Sequence, residues 1–422
     1  MIQRLKPKSE FSRNVLTLMT GTTIAQAIPI AISPILTRIY TPEDFGLLAL
    51  FVAITSIFGS IANGRYELAI MLPEKDEDAI NIAALSLLIA IVFSVLLLIL
   101  VIFFNNRITG LMGNSEIGLW LYFVPFVVFM TGLYNVLNYL NIRKKLYIDI
   151  VRANIYKSVG MAMVQIGVGI IKTGASGLLL GQIVSHFISN LRLGKNTLIN
   201  YNIKNLSWSI QKKMAIKYIK FPKYSLWAGL ASTSSAHVTS ILVSIVYNLS
   251  TLGFYSLTQR AMAMPASLIG SAIGQVFFQE ASEEKKLTGT AVNSFKKTLR
   301  NLFFSGALVF FVLFWFVEDI FTLVFGEEWR VAGHYAKILI PLFFVQFFVS
   351  PLTMMNVIFN KNEVGMYWQF ILLFLQLTLI FIAHVLSMSF ESYLNMMVVI
   401  ISLHYLLILL IMSKYNHNKL NV

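Results

Sequence analysis

Apolar runs of 18 residues or more, separated by short polar breaks, recur along the whole chain. Such runs mark helices that cross a lipid bilayer, because about 20 helical residues are needed to span a hydrocarbon core of about 30 Å. Twelve segments can be placed, at 14–38, 45–70, 80–104, 117–141, 153–171, 175–194, 224–247, 252–279, 299–318, 335–359, 364–386 and 391–413. The expected fold is an all-α polytopic membrane protein with about 12 transmembrane helices and both termini on one side. Ala25 and Ala27 mimic a signal-peptidase site, but the apolar run continues to about Ile39, so the first segment is expected to be retained as a helix.

The polar breaks carry an asymmetric charge. With the N-terminus in the cytoplasm, 25 of the 33 Lys and Arg fall in inside segments. Five fall outside (Arg38, Arg107, Lys172, Arg330, Lys337) and three within helices (Arg65, Lys157, Arg260). Lys and Arg set orientation in short loops, so this bias predicts cytoplasmic termini and supports the helix count. The longest break, 195–223, is polar and basic, and its middle, 208–219, has the pattern of an amphipathic surface helix. It divides the chain into an N-terminal lobe (1–195, helices one to six), a cytoplasmic linker (196–223) and a C-terminal lobe (224–422, helices seven to twelve).

The two halves look related. Tyr40-Thr41-Pro42-Glu43-Asp44-Phe45-Gly46 follows the first helix, and Tyr247-Asn248-Leu249-Ser250-Thr251-Leu252-Gly253 follows the seventh. Six-helix halves that each start inside imply a parallel repeat, so the lobes are expected to be pseudo-twofold related around a central cavity.

Composition narrows the function classes. The chain is 57% hydrophobic and 12% charged, with a mean hydropathy of +0.73, which leaves little chain for a soluble domain. The net charge of +14 sits between apolar segments, where it sets topology and meets anionic membrane lipids, so no nucleic-acid partner is expected. There is no cysteine, no Walker A sequence, no HExxH and no G-x-S-x-G. No catalytic residue, metal site or cofactor is expected.

What remains is charge and polarity inside the membrane, which is costly and points to function. Arg260 is placed about 14 Å into the eighth helix, near the midplane, beside Gln259 and before Pro265. It reads either as an anion ligand in a cavity or as a structural arginine satisfied by carbonyls or a carboxylate. Arg65 and Glu67 lie near the inner end of the second helix; two residues apart on a helix, they are expected to point about 200° apart and not to pair. Lys157 is placed one turn into the fifth helix, where snorkelling competes with a binding role. Arg38 and Arg143 mark opposite rims. Thr22 and Gln26 share a face of an unusually polar first helix, and His237 lies on a hydroxyl-rich seventh helix; both faces suit a hydrated cavity or small-residue packing. His186, His384 and His404 read as packing residues or proton relays. Glu318, Asp319, Glu327 and Glu328 read as solvated.

The chain resembles the bacterial polysaccharide flippases of the Wzx type, in the multidrug/oligosaccharidyl-lipid/polysaccharide exporter superfamily. The stretches that carry the resemblance are Pro34 through Gly46, Gly64-Arg65-Tyr66-Glu67 running to Pro73, and Gly253 through Pro265 continuing to Gly274-Gln275-Val276-Phe277-Phe278-Gln279-Glu280, with Ala332-Gly333 and Phe348-Val349-Ser350-Pro351 beyond. The resemblance implies two six-helix lobes forming a V around a cationic cavity in a bacterial inner membrane. It implies that the substrate is an undecaprenyl-pyrophosphate-linked oligosaccharide, destined for O-antigen or capsule, with Arg65 and Arg260 as guanidinium partners of the pyrophosphate. Membrane lipids are expected contacts, and the polysaccharide polymerase machinery is a candidate partner. Two other readings compete. A small-molecule cation or drug antiporter of the same superfamily would call for buried carboxylates near the midplane. A membrane glycan polymerase or ligase would call for a large outer loop.

Overall fold

The computed structural model describes residues 10–201 and 206–415. Arg4, Lys6, Lys8, Lys204 and Lys419, counted above toward topology, lie outside the described residues, as does the side chain of Pro265. The described chain is helical, without strands. It divides into two compact units, Met1–Thr233 and Ser234–Val422.

The first unit holds α1 (Glu10–Leu36), α2 (Pro42–Gly59), a 3-10 turn (Tyr66–Met71), α3 (Asp76–Met112), a short α4 (Ile117–Leu121), α5 (Val124–Arg143), α6 (Tyr147–Ile171) and α7 (Ser176–Asn200). A surface helix, α8 (Trp208–Lys217), and a π turn (Phe221–Ser225) lead into α9 (Leu226–Val246), which crosses from one unit to the next. The second unit continues with α10 (Leu249–Thr288), α11 (Val292–Phe325), α12 (Arg330–Val349), a short α13 (Met355–Ile358), α14 (Asn362–Val385) and α15 (Phe390–Tyr415). The chain is a multi-pass membrane protein of about twelve long helices. Among the described residues, nine spans meet a membrane-crossing standard of length and apolarity. The long helices α7 and α10 are not among them, and α1 contributes a shorter apolar stretch, Thr20–Leu36.

The repeat seen in the sequence reappears as one packing scheme used twice. In the first unit α5 packs on α2, α3 and α7, and α7 on α6. In the second, α12 packs on α10, α11 and α15, and α15 on α14. Ser158 Oγ donates to the Ala25 carbonyl (2.7 Å), tying α6 to α1; Ser235 Oγ donates to the Gln369 carbonyl (3.2 Å), tying α9 to α14. The two Tyr-x5-Gly turns are equivalent helix starts. Thr41 caps α2 in a capping box with Asp44, and Asn248 Oδ1 caps α10 by accepting from Thr251 N at 2.7 Å, each one residue after the tyrosine.

Several boundaries differ from the expectation. The second helix ends at Gly59, not near 70; the segment after it is apolar because it packs within the protein, as Tyr66, Ala69 and Ile70 do against α3, α5 and Met214 of α8. The fifth helix starts at Tyr147, six residues early, because Tyr147 and Ile150 pack on Leu137 and Leu193. The fourth helix breaks at Tyr122–Phe123, and the tenth ends at Val349, where Ser350-Pro351 starts a 3-10 turn. Trp208, Ile216 and Ile219 of the surface segment are exposed, while Met214 is buried on the first unit.

Arg143 is a staple rather than a rim charge. Its Nε donates to Asp76 Oδ1 (2.8 Å), Nη1 to the carbonyls of Ile70 (3.2 Å) and Pro73 (2.7 Å), and Nη2 to the Glu74 carbonyl (3.1 Å). The side chain is only 12% exposed, so its removal strands several acceptors of the 70–76 connection. Arg143→Ala is expected to cost about 3 kcal/mol, seen as a lowered thermal midpoint of the purified protein, and Arg143→Lys to recover less than half, since an ammonium lacks the planar fork. An unchanged midpoint would show the connection is held by something else.

Glu284 caps α11 from the end of α10. Its carboxylate accepts from Asn293 N (2.9 Å), Ser294 N (2.7 Å) and Ser294 Oγ (2.6 Å). Burial pushes this carboxyl up, but the hydrogen bonds from Ser294 and Asn293 outweigh it and hold it below the usual carboxylate range. A depressed acid contributes stability above its unfolded value, 4.5, and loses it as pH falls through the folded value. Glu284→Gln is expected to cost about 1 kcal/mol at neutral pH and to flatten the decline of stability below that value, checked by thermal midpoints across an acid series.

Candidate functional site

In the first unit, Asn63 begins a tight reversal between α2 and the 3-10 turn. Its Nδ2 donates to the carbonyls of Ser86 and Gly132, both at 3.2 Å, fixing the reversal to α3 and α5. Gly64 and Arg65 follow with φ of 60° and 63°. Glycine accepts that region freely, whereas a non-glycine residue is uncommon there, and such backbone strain concentrates at functional positions.

The reversal overturns the expectation that Arg65 and Glu67 cannot pair. Off the helix, two-residue spacing no longer sets them on opposite sides, and Arg65 Nη1 lies 3.7 Å from Glu67 Oε1. The Glu67 side chain is 4% exposed and that of Arg65 24%. Burial holds the Glu67 carboxyl above the usual carboxylate range, with its own backbone amide and Arg65 pulling the other way. The pair is incompletely satisfied: among the described residues, Arg65 Nε and Glu67 Oε2 are buried without a hydrogen bond. Gly229, at the start of α9, presses on the guanidinium so closely that a Cβ there would collide with Arg65 Cζ and Nη2. Tyr66, between the charged residues, donates from its hydroxyl to the Ala215 carbonyl of α8 at 2.9 Å.

Lys157 lies ten residues into α6, about 15 Å from its start, and not one turn in. Among the described residues it has no carboxylate partner; its ammonium sits 5.5 Å from the centre of the Tyr134 ring, whose hydroxyl donates to Asn154 Oδ1 at 2.7 Å. On α1, which packs along α6, Gln26 is exposed, while the partly buried Thr22 donates its hydroxyl to the Leu18 carbonyl at 2.7 Å. His186 of α7 is buried, with an Nδ1 that meets no partner among the described residues.

In the second unit, Arg260 lies eleven residues into α10, about 17 Å from its first residue. Thr258, two residues earlier, anchors this stretch by donating to the Ala332 carbonyl of α12 at 2.7 Å. Gln259 donates to the Tyr255 hydroxyl at 2.8 Å within the same helix. Arg260, partly buried beside it, forms no ion pair and no hydrogen bond among the described residues. A guanidinium so placed offers five donors in a fixed fork to an anion. His237 is partly buried on α9. His404 is a packing residue: it stacks on Trp368 with ring centres 5.4 Å apart, and its Nε2 lies 3.2 Å from the Trp368 carbonyl.

Arg65 and Glu67 are thus brought together in the first unit, and Gln259 and Arg260 are neighbours in the second. One cluster was missed from sequence. Glu318, read as solvated, lies 3.2 Å from both His334 Nδ1 and Lys337 Nζ, and His334 Nε2 is 3.6 Å from Glu391. The spacing of His334 and Lys337, one turn apart on a helix, was the available signal. Among the described residues, no group of three His, Asp or Glu could hold a metal ion.

A family profile described as "Polysaccharide biosynthesis protein" matches residues 35–333, well over half of the chain. No curated protein matches in sequence. The fold is similar to that of the lipid II flippase MurJ in an inward closed conformation, with a TM-score of 0.68 at 14% identity over 96% of this chain and 91% of that one. It is similar to an inward-facing multidrug resistance MATE family transporter of the MOP superfamily, with a TM-score of 0.64 at 13% identity over 94% and 96%. A MOP superfamily transporter from Pyrococcus furiosus matches with a TM-score of 0.54 at 13% identity over 96% and 94%.

Proposed function

The chain belongs to the polysaccharide biosynthesis protein family, and from that premise we propose that it flips an undecaprenyl-pyrophosphate-linked oligosaccharide repeat unit from the cytoplasmic to the periplasmic leaflet of a bacterial inner membrane. It works by alternating access, with lobes 1–195 and 224–422 joined by the linker 196–223 and both termini in the cytoplasm. The repeat unit then serves O-antigen or capsule assembly, handed to polymerase machinery. The chain is a transporter and not an enzyme.

The observation that carries this reading is Arg260, a fixed cation deep in a long helix with no counter-charge among the described residues. Holding an unpaired arginine in a membrane costs several kcal/mol, which favours a ligand that supplies the missing anion. Arg260 and Arg65 bind the pyrophosphate. Lys157, Gln26, Thr22, Gln259 and His237 meet the sugar or the cavity water, and Glu67 holds Arg65 until cargo arrives. The MurJ-like fold supports a lipid-linked cargo.

Glu67 favours a second reading, a cation or drug antiporter, because it is a buried carboxylate, but it lies in the turn after α2 and not near the midplane where such a transporter calls for one. Arg65 beside it weakens that reading by supplying a positive charge. Reconstitution in proteoliposomes separates the two. A fluorescent undecaprenyl-pyrophosphate saccharide in the outer leaflet is expected to become protected from an external quencher only when the protein is present. Unchanged accessibility, together with proton-driven efflux of an organic cation, would sink the flippase reading.

A further inference from the structure

Beyond Arg260, α10 and α12 part around a mostly apolar cavity of about 420 Å³ within the second unit. Ala263, Gly270 and Gly274 form the α10 wall; Phe343, Pro351 and Met354 face them. Small residues on membrane helices let backbones approach closely. A Cβ added at Gly274 would meet the Pro351 backbone, and one at Gly270 the Pro351 ring, both at 3.5 Å, an ordinary contact. At Gly333 the same atom would meet the Glu318 backbone at 2.9 Å. Gly270 and Gly274 therefore have room for a methyl, but a larger side chain there would enter the cavity they line. Its volume falls within the range of small-molecule sites.

The groove starts at Ala263, one turn after Arg260, and runs toward the Lys285 end of α10. We infer that it seats the first isoprenoid units of the lipid carrier, with the phosphates at Arg260. This rests on the flippase reading, in which that end of α10 is cytoplasmic and faces the leaflet from which cargo is taken. One molecule that joins an anionic head to an apolar tail matches a cation followed by an apolar groove. The tail leaves an equally apolar bilayer, so there is little hydrophobic gain on entry. The groove's contribution is fit: it aligns the carrier so that its pyrophosphate meets Arg260, and it selects for isoprenoid carriers over phospholipid.

Binding to the purified full-length protein in detergent tests this, with inorganic pyrophosphate, farnesyl phosphate and phosphatidylglycerol as probes. The wild type is expected to bind farnesyl phosphate about tenfold more tightly than pyrophosphate, with phosphatidylglycerol a poor competitor. Gly270→Leu, which fills the groove, is expected to erase that advantage while leaving pyrophosphate affinity unchanged. Gly270→Ala, which fits at ordinary contact distance, should behave as wild type. Met354→Trp fills the cavity from the opposite wall and should repeat the Gly270→Leu result if that variant folds poorly. A farnesyl advantage that survives both filling variants places the tail elsewhere and overturns the inference while leaving the flippase reading intact. Equal competition by phosphatidylglycerol makes the groove an ordinary lipid seat and also overturns it. Failure of every anionic probe to bind wild type removes the flippase reading and the inference with it.

Discussion

Arg260→Ala is expected to abolish surface polysaccharide while leaving the protein inserted, and Arg260→Lys to restore only part of it. A charge-assisted bidentate contact to a phosphate is worth a few kcal/mol in a desolvated site, so its loss reduces transport by about a hundredfold or more. The lysine variant keeps the charge but not the fork. The structure adds a second readout. Arg260 forms no ion pair and no hydrogen bond among the described residues, so alanine strands no partner. Removing an unpaired charge from a membrane helix should leave the thermal midpoint equal or higher. Normal polysaccharide in the Arg260→Ala strain would remove this residue from the transport path. A large fall in the midpoint would recast it as structural.

The second large effect concerns Arg65 and Glu67. Arg65→Ala leaves Glu67 buried without its counter-charge, and truncating one member of a buried pair costs about 3 kcal/mol or more when geometry is tight. At 3.7 Å, with Arg65 partly exposed, the cost here is expected to be nearer 1–2 kcal/mol. Transport should be lost as well. The double variant Arg65→Ala/Glu67→Gln separates the two effects, since a neutral amide no longer demands a cation. It is expected to regain the wild-type thermal midpoint but none of the transport. If transport returns with stability, Arg65 serves only to neutralise Glu67. Gly229→Ala gives an independent check: the new methyl displaces the tip of a flexible side chain, at small stability cost, and should impair transport as Arg65→Ala does.

The Arg65 region also shows where sequence reasoning stops. The stretch 60–70 is apolar enough to extend a membrane helix, and hydropathy cannot tell burial in lipid from burial in protein. Here it is protein: Ala69 and Ile70 are fully buried among α3, α5 and α8. The break needs two consecutive residues in the left-handed region, of which only Gly64 gave a hint. Lys157 sits deeper than its sequence position suggests for a related reason. The polar first turns of α6 have the composition of a loop, which puts the lysine near a surface, but packing on α5 and α7 draws those turns into the helix. Arg143 looked like any positive-inside loop charge, and only the folded chain brings the carbonyls of residues 70, 73 and 74 around it.

The membrane class, the about twelve helices and the internal repeat are all legible along the amino-acid chain. They are so because bilayer thickness and the internal pairing of every backbone amide act along one dimension, and composition reports them directly. Arg260 also stands out there, since a charge inside an apolar run is visible without coordinates. Folding alone brings Arg65 and Glu67 together, leaves Arg260 without a counter-charge among the described residues, and sets Gly270 and Gly274 along a cavity at contact distance from Pro351. Those facts depend on which side chains meet across helices distant in sequence, and no periodicity along the chain encodes them.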